Sequence, residues 1–277
     1  MEAKKYTVAS VLSIAGFDGS GGAGIQADTK TISALGCYAM NVLTALPVQN
    51  TQGVKNIYEI PTQAIKDQLE TLFEDIYPTA IKIGMVHSTI LVELIADFLK
   101  DYRGPIIFDP VMVSTSGHRL IQADTIQACI DKLFPIATLI TPNLDEVAVL
   151  INEQVDSLAK MRIAGAKLLQ MGCQAVLVKG GHLPGDDLSS IFLSAGKDIQ
   201  FDTAKIETDN THGSGCTLSS AIASYLARGE ELPTAVGNAL DYVNKAIQGS
   251  QHLALGRGNG PLNHFHNPQK LIVYDMD

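Results

Sequence analysis

Short apolar runs rich in β-formers alternate with helix-period patterns along most of this chain, and that alternation limits the fold more than any other feature. Apolar runs of roughly four to eight residues, buried on both sides, belong to parallel strands, so the intervening helices must cover both faces of one sheet. The spacing predicts strands over 8–15, 40–45, 80–83, 105–109, 138–141 and 175–179. It predicts helices over 23–35, 62–75, 90–100, 123–134, 144–151, 157–170, 215–228 and 232–253. Two more runs, 189–194 and 198–204, flank Ala195-Gly196-Lys197 and read as an antiparallel hairpin. The fold class is therefore α/β with a mostly parallel central sheet. No repeat, linker or low-complexity tract breaks the pattern, and 277 residues suit one large domain.

Composition narrows the class of function. With 46% hydrophobic and 18% charged residues the chain is globular, and a net charge of −9 (20 basic against 29 acidic) repels nucleic acids and anionic membranes. Small anions stay open, because a helix N-terminus or a glycine nest binds phosphate whatever the net charge. Cys37, Cys129, Cys173 and Cys216 lie far apart with no zinc-ligand spacing, which reads as a reducing compartment. Lys4 and Lys5 before an apolar run superficially resemble a signal peptide, but Asp18 and a glycine cluster follow where a cleavage site would be needed. No stretch has the length and character of a membrane span. A cytoplasmic protein is the expectation.

The first strand runs into Gly16-Phe17-Asp18-Gly19-Ser20-Gly21-Gly22-Ala23-Gly24 and then a helix carrying Asp28. Gly19-x-Gly21-x-x-Gly24 matches the dinucleotide fingerprint, yet 31–54 contains no charged residue to hold a ribose or its phosphate. The Lys-Ser/Thr pair of a Walker A loop is also missing. A tight packing turn remains open, beside the reading that backbone here approaches a small ligand.

A second glycine loop, Thr211-His212-Gly213-Ser214-Gly215-Cys216, leads into the helix expected over 215–228. Small residues at a helix start aim backbone N–H groups outward, as an oxyanion hole does. Cys216 in that first turn is expected to have a lowered pKa through the helix dipole, or else to be a buried structural cysteine. Asp109 ends one strand and could hold a metal. Asn143 and Glu146, at i and i+3 after another, are either a capping box or part of a hard-cation site. Lys179, before Gly180-Gly181, is a point charge at a strand end or a solvated lysine. His264 and His266 read as structural or surface residues, and 267–277 as a tail or an extra edge strand.

Gly16 to Asp28, Gln49-Asn50-Thr51, Lys82-Ile83-Gly84-Met85, Asp109-Pro110-Val111, Thr141-Pro142-Asn143-x-x-Glu146, Val178-Lys179-Gly180-Gly181-His182, the Thr211 to Cys216 loop and Gly256-x-Gly258-x-Gly260-Pro261 with His264-Phe265-His266 together resemble the hydroxymethylpyrimidine/phosphomethylpyrimidine kinases of thiamine biosynthesis. The resemblance spans residues 1–266 and implies a ribokinase-like three-layer sandwich, a homodimer, ATP as donor and Mg²⁺. It implies that Gln49 binds the pyrimidine, with Gly16, Asp28 and Met85 near it. Gly213, Ser214, Gly215 and Cys216 would form the anion hole, Cys216 standing where related kinases carry an aspartate base. Asn143 and Glu146 would place magnesium, and Lys179, with Thr211 and Asp109, would meet the phosphates of ATP. Gly19 replaces a usual proline and Pro47 a usual small aliphatic residue, both expected at the acceptor pocket.

The implied chemistry is two successive phosphoryl transfers, to the hydroxymethyl group and then to the monophosphate. Cys216 as thiolate would take the first proton, whereas the ionised second acceptor needs no base and would be repelled by an aspartate. Competing readings are a pyridoxal kinase, a non-catalytic pyrimidine sensor and a nicotinamide-dependent enzyme.

Overall fold

The computed structural model describes residues 5–112, 122–181 and 187–276. His182 of the second lysine motif lies outside the described residues.

Ten of the strands are built as the apolar runs dictate or around them: β1 (Tyr6–Val8), β2 (Ser10–Ala15), β3 (Tyr38–Leu43), β6 (Ala80–Ile83), β7 (Ile106–Phe108), β8 (Leu139–Ile140), β9 (Ala175–Lys179), β10 (Asp187–Ser194), β11 (Lys197–Ala204) and β12 (Val273–Asp275). Eight form the central sheet in the order β11-β10-β9-β8-β7-β6-β2-β3, parallel from β3 to β9 and antiparallel at β10 and β11. Helices α1 (Gly24–Ala34), α7 (Ser214–Ala227) and α8 (Leu232–Gln248) cover one face. On the other lie α2 (Thr62–Asp75), α3 (Thr89–Leu99), α4 (Ala123–Ala128), α5 (Leu144–Ile151) and α6 (Leu158–Gln170). All six residues of β2 are buried because both its faces are covered, and its apolar side chains divide between the two cores.

From β2 the chain steps outward to β3 and returns on the other side of β2 as β6. That reversal opens a crevice at the carboxyl ends of β2 and β6, where open α/β sheets bind ligands.

Several expected boundaries move, each for a local reason. The strand expected over 8–15 breaks at Ala9, and the partly exposed β1 leaves the sheet to pair with β12 in a separate ribbon: the last residues form a strand, but not on the main sheet's edge. The helix expected over 123–134 is α-helical only to Ala128. It continues as a π turn (Cys129–Leu133) and a 3-10 turn (Phe134–Ile136), since Pro135 brings no N–H to extend an α ladder. The helix expected to reach 253 stops at Gln248 with Gly249 as its cap. The β10–β11 hairpin is tighter than expected, with Ser194 facing Lys197 across Ala195-Gly196, and Gly196 takes a φ of +75° that its turn requires.

One element was not anticipated. After β3, β4 (Ala45–Asn50) and β5 (Gly53–Glu59) form an antiparallel hairpin of their own. Pro47 and Gln49 alternate inward while Leu46 and Val48 face out, a pattern that needs only one covered face.

Candidate active site

A cavity of about 600 Å³ opens at the crevice, walled by the two glycine loops, the ends of β6, β7 and β9, the start of α5 and the inner face of the β4–β5 hairpin. It gathers Gly16, Gln49, Met85, Asp109, Asn143, Glu146, Lys179 and the whole 211–216 segment except its outer surface. Residues that are 200 positions apart in sequence thus share one wall.

The first loop is organised by Asp18, whose side chain is fully buried. One oxygen accepts from the Ser20 amide (2.9 Å) and hydroxyl (2.6 Å), the other from the amides of Gly22 (3.0 Å) and Ala23 (2.7 Å). His212 Nε2 reaches that second oxygen at 2.9 Å, clipping the second loop onto the first. Burial alone would raise the Asp18 pKa, but the hydrogen bonds from His212, Ser20 and Ala23 hold it well below the usual carboxylate range.

Gly213 caps α7 at φ +83°, and a Cβ there would stand 1.8 Å from the Gly22 carbonyl oxygen, so only glycine permits the loops to meet. At the start of α7 the Ser214 amide donates to Thr211 O at 3.1 Å. The Gly215 and Cys216 amides follow in the first turn of α7, where an N–H has no partner within the helix, whereas the Ser214 amide expected beside them is already taken.

The Cys216 thiol is half-buried on the cavity floor, and the expected low pKa is corrected. Burial pushes it up to about 11; Lys82 and the Gly24 N–H pull it down, while Asp28 and Asp109 push it up. The helix dipole acts on it, but removal from water and two carboxylates outweigh it, and the group is a neutral thiol near pH 7. Cys37, Cys129 and Cys173 are buried with raised pKa values, as structural cysteines are.

Asp28 is also corrected. It is wholly buried behind the cavity wall, its oxygens taken by Ser13 Oγ (2.5 Å), Lys82 Nζ (2.8 Å) and Ser220 Oγ (2.7 Å), so it contacts no ligand directly. Gly19 is exposed on the outer turn and does not line the cavity; Pro47 does. Met85 is fixed by Thr44 Oγ1, which donates to its carbonyl at 2.8 Å. It stands against Gly16, where a Cβ would lie 3.3 Å from the sulfur.

Across the cavity, Asp109 Oδ1 accepts from Thr141 Oγ1 (2.9 Å) and Lys179 Nζ (3.1 Å). Burial opposes the Lys179 charge, but Asp109 and Glu146 outweigh it and raise its pKa. Asn143 and Glu146 do form the capping box: Asn143 Oδ1 accepts the Glu146 amide at 2.9 Å and Glu146 Oε2 the Asn143 amide at 2.8 Å. Burial raises Glu146 to about 7, with Lys179 opposing and Asp109 adding.

Three residues here were not singled out from the sequence as site residues: Asp18, Lys82 and His212. A legible signal existed for Lys82, a lone charge inside the apolar run 80–83, which can be buried only against an opposite charge. His264 lies in the core, 3.1 Å from Thr217 Oγ1, and His266 stacks near Tyr242; neither is at the cavity.

The phosphomethylpyrimidine kinase family model matches residues 18–263, which takes in the second glycine loop, the first from Asp18 onward, and every cavity-lining residue except Ala15, Gly16 and Phe17. The chain belongs to the phosphomethylpyrimidine kinase family. A hydroxymethylpyrimidine/phosphomethylpyrimidine kinase of Rhizobium meliloti is 42% identical over 259 residues, 93% of this chain and 97% of the relative. A crystal structure of phosphomethylpyrimidine kinase from Clostridium difficile matches with a TM-score of 0.76 at 42% identity, over 86% of this chain and 99% of that one. The ADP complex of Bacillus subtilis pyridoxal kinase matches with a TM-score of 0.86 at 32% identity, over 93% and 98%. A phosphomethylpyrimidine kinase is a phosphotransferase of ribokinase-like fold, and the three-layer sandwich is that fold.

Proposed function

We propose that this phosphomethylpyrimidine kinase family member transfers the γ-phosphoryl group of ATP to 4-amino-5-hydroxymethyl-2-methylpyrimidine and then to the resulting monophosphate, giving the pyrophosphate used in thiamine biosynthesis. The observation that carries the two-step reading is a free cysteine, Cys216, rather than a carboxylate, at the start of α7 in the cavity lining, where burial pushes its pKa up. A carboxylate there would repel an ionised acceptor, whereas a thiol admits both the hydroxyl and the monophosphate.

Each wall has a part. Gln49, on the inner face of β4, offers a donor and an acceptor from one amide, which suits an aminopyrimidine, and Gly16 and Met85 flank it. Gly215 and Cys216 amides, with Gly213 setting the turn, receive charge on the transferring group. Lys179 and Thr211 meet the phosphates of ATP, and Asp109 holds the Lys179 ammonium in place. In the first transfer the acceptor oxygen bonds to the γ-phosphorus as the bond to the departing ADP oxygen breaks, and the hydroxyl proton goes to the transferred phosphoryl oxygen. A loose transition state needs no strong base, so the protonated Cys216 is no obstacle.

The buried oxygens of Asp109 and Glu146 on one wall suit magnesium, a hard cation that keeps most of its waters and travels with the phosphates. Asn143 is committed to its cap and supports Glu146 rather than ligating. When bound, the ion neutralises phosphate charge.

The exposed Leu46, Val48 and Tyr58 on the hairpin's outer face support assembly as a homodimer. No helix among the described residues is long and apolar enough to cross a membrane, and four free cysteines suit a reducing, cytoplasmic compartment.

Purified protein with Mg-ATP and, separately, hydroxymethylpyrimidine, its monophosphate or pyridoxal tests the reading through ADP release and product mass. Turnover of both pyrimidines supports it. Turnover of pyridoxal alone, the reading favoured by the closer shape match to the pyridoxal kinase, would replace it, with Pro47 the first residue to change.

A further inference from the structure

Lys82 sits at the carboxyl end of β6 with no side-chain exposure to bulk solvent, yet it forms part of the cavity lining, on the floor that it shares with Cys216. Behind it, away from the cavity, lies Asp28, 2.8 Å from the ammonium and itself held by Ser13 and Ser220. The pair is therefore a fixed dipole with its positive end toward the ligand space. An ammonium carries three donors, and Asp28 accepts one of them. Gly84 keeps the space beside it open, since a Cβ there would lie 2.7 Å from Nζ. Burial opposes the charge, but Asp28, with Asp109 adding, outweighs it, so the lysine stays protonated.

A buried ion pair of this kind rarely repays its desolvation in stability, and replacing it with apolar residues is often neutral or better. A charge so expensive to bury, aimed at a site where negative charge must gather, has a use there.

We infer that Lys82 is a further catalytic residue, whose ammonium contacts the acceptor oxygen and balances the negative charge that it carries in the monophosphate or develops during transfer to the hydroxymethyl group. Asp28 is its positioning residue. The inference rests on the kinase reading of the cavity.

Three variants test it: Lys82→Met, Asp28→Asn and the charge-free double variant, which keeps a folded core if either single change does not. The first readout needs no substrate. Iodoacetamide alkylation of Cys216, followed by peptide mass, reports the field on the cavity floor, and the other three cysteines are buried. Alkylation is expected to slow in Lys82→Met and to quicken in Asp28→Asn. The second readout is turnover. The folded double variant is expected to lose roughly 10²-fold in kcat with the neutral acceptor and to raise KM for the monophosphate. A double variant with wild-type kcat and KM, or single variants whose alkylation shifts in the same direction, would overturn the inference and leave the pair a structural one. Opposed alkylation shifts in a protein that phosphorylates neither pyrimidine would uphold the charge and sink the pyrimidine reading instead.

Discussion

His212 Nε2 lies 2.9 Å from Asp18 Oδ2, a contact between residues 194 positions apart that joins the first glycine loop to the second. Because Asp18 also holds the amides of Ser20, Gly22 and Ala23, the geometry of both loops passes through one carboxylate.

Asp18→Ala is therefore expected to lower kcat/KM by about 10²-fold, the cost of a misplacement near 1 Å, and to destabilise the protein by roughly 2–3 kcal/mol. Steady-state kinetics and urea denaturation at pH 7.5 measure both. The folded pKa is depressed, so the stabilisation is complete above the usual value of 3.8 and is lost only as pH falls through the lower folded value. A variant whose deficit shrinks already at pH 6 would contradict this.

Gly213→Ala places a methyl against Gly22 O at a positive φ, and the two loops must part. Loss of nearly all turnover is expected with far-UV circular dichroism unchanged. Retention of more than roughly a tenth of the activity would show that the turn is not strained.

Cys216→Asp adds a charge where the thiol is neutral. The second phosphorylation should fall proportionally further than the first, while Cys216→Ser should keep most of both. Equal losses in Cys216→Asp would mean that repulsion of the ionised acceptor is not the reason for cysteine there.

His264 supplies a pH dependence. Burial lowers its pKa from 6.5 to about 4, with Lys30 and two histidines adding to the effect, so the unfolded chain takes up a proton that the folded one refuses. Stability is full above pH 6.5 and declines as pH falls toward 4, by on the order of 3 kcal/mol. Urea midpoints of the wild type and His264→Gln between pH 8 and 4.5 should converge as the pH drops. Parallel curves would refute it.

The sheet was legible because each central strand, from the run ending at Ala15 to the run ending at Lys179, is mostly apolar and buried on both faces. The β4–β5 hairpin was not, since its alternation of Pro47 and Gln49 with exposed Leu46 and Val48 is short and interrupted by a bulge after Val48. The glycine loops suggest an anion site through residue type alone. Which amides remain for a ligand was not readable, because the bond from Ser214 N to Thr211 O depends on the turn itself. The charge state of Cys216 was misjudged for a related reason: position in a helix is local, whereas burial and the approach of Asp28 and Asp109 come from strands and helices distant in sequence.

The hairpin that bears Gln49 and Pro47 belongs to neither core layer, and its tip is tethered by Thr51, whose hydroxyl accepts the amides of Arg257 and Gly258 at 3.2 Å. In the proposed reading, the part of the molecule that would select the acceptor is thus built apart from the part that would handle phosphate. A lineage can rewrite residues 45–59 to welcome a different vitamin precursor while leaving the amides of α7 untouched, and one scaffold can diversify its diet without relearning its chemistry.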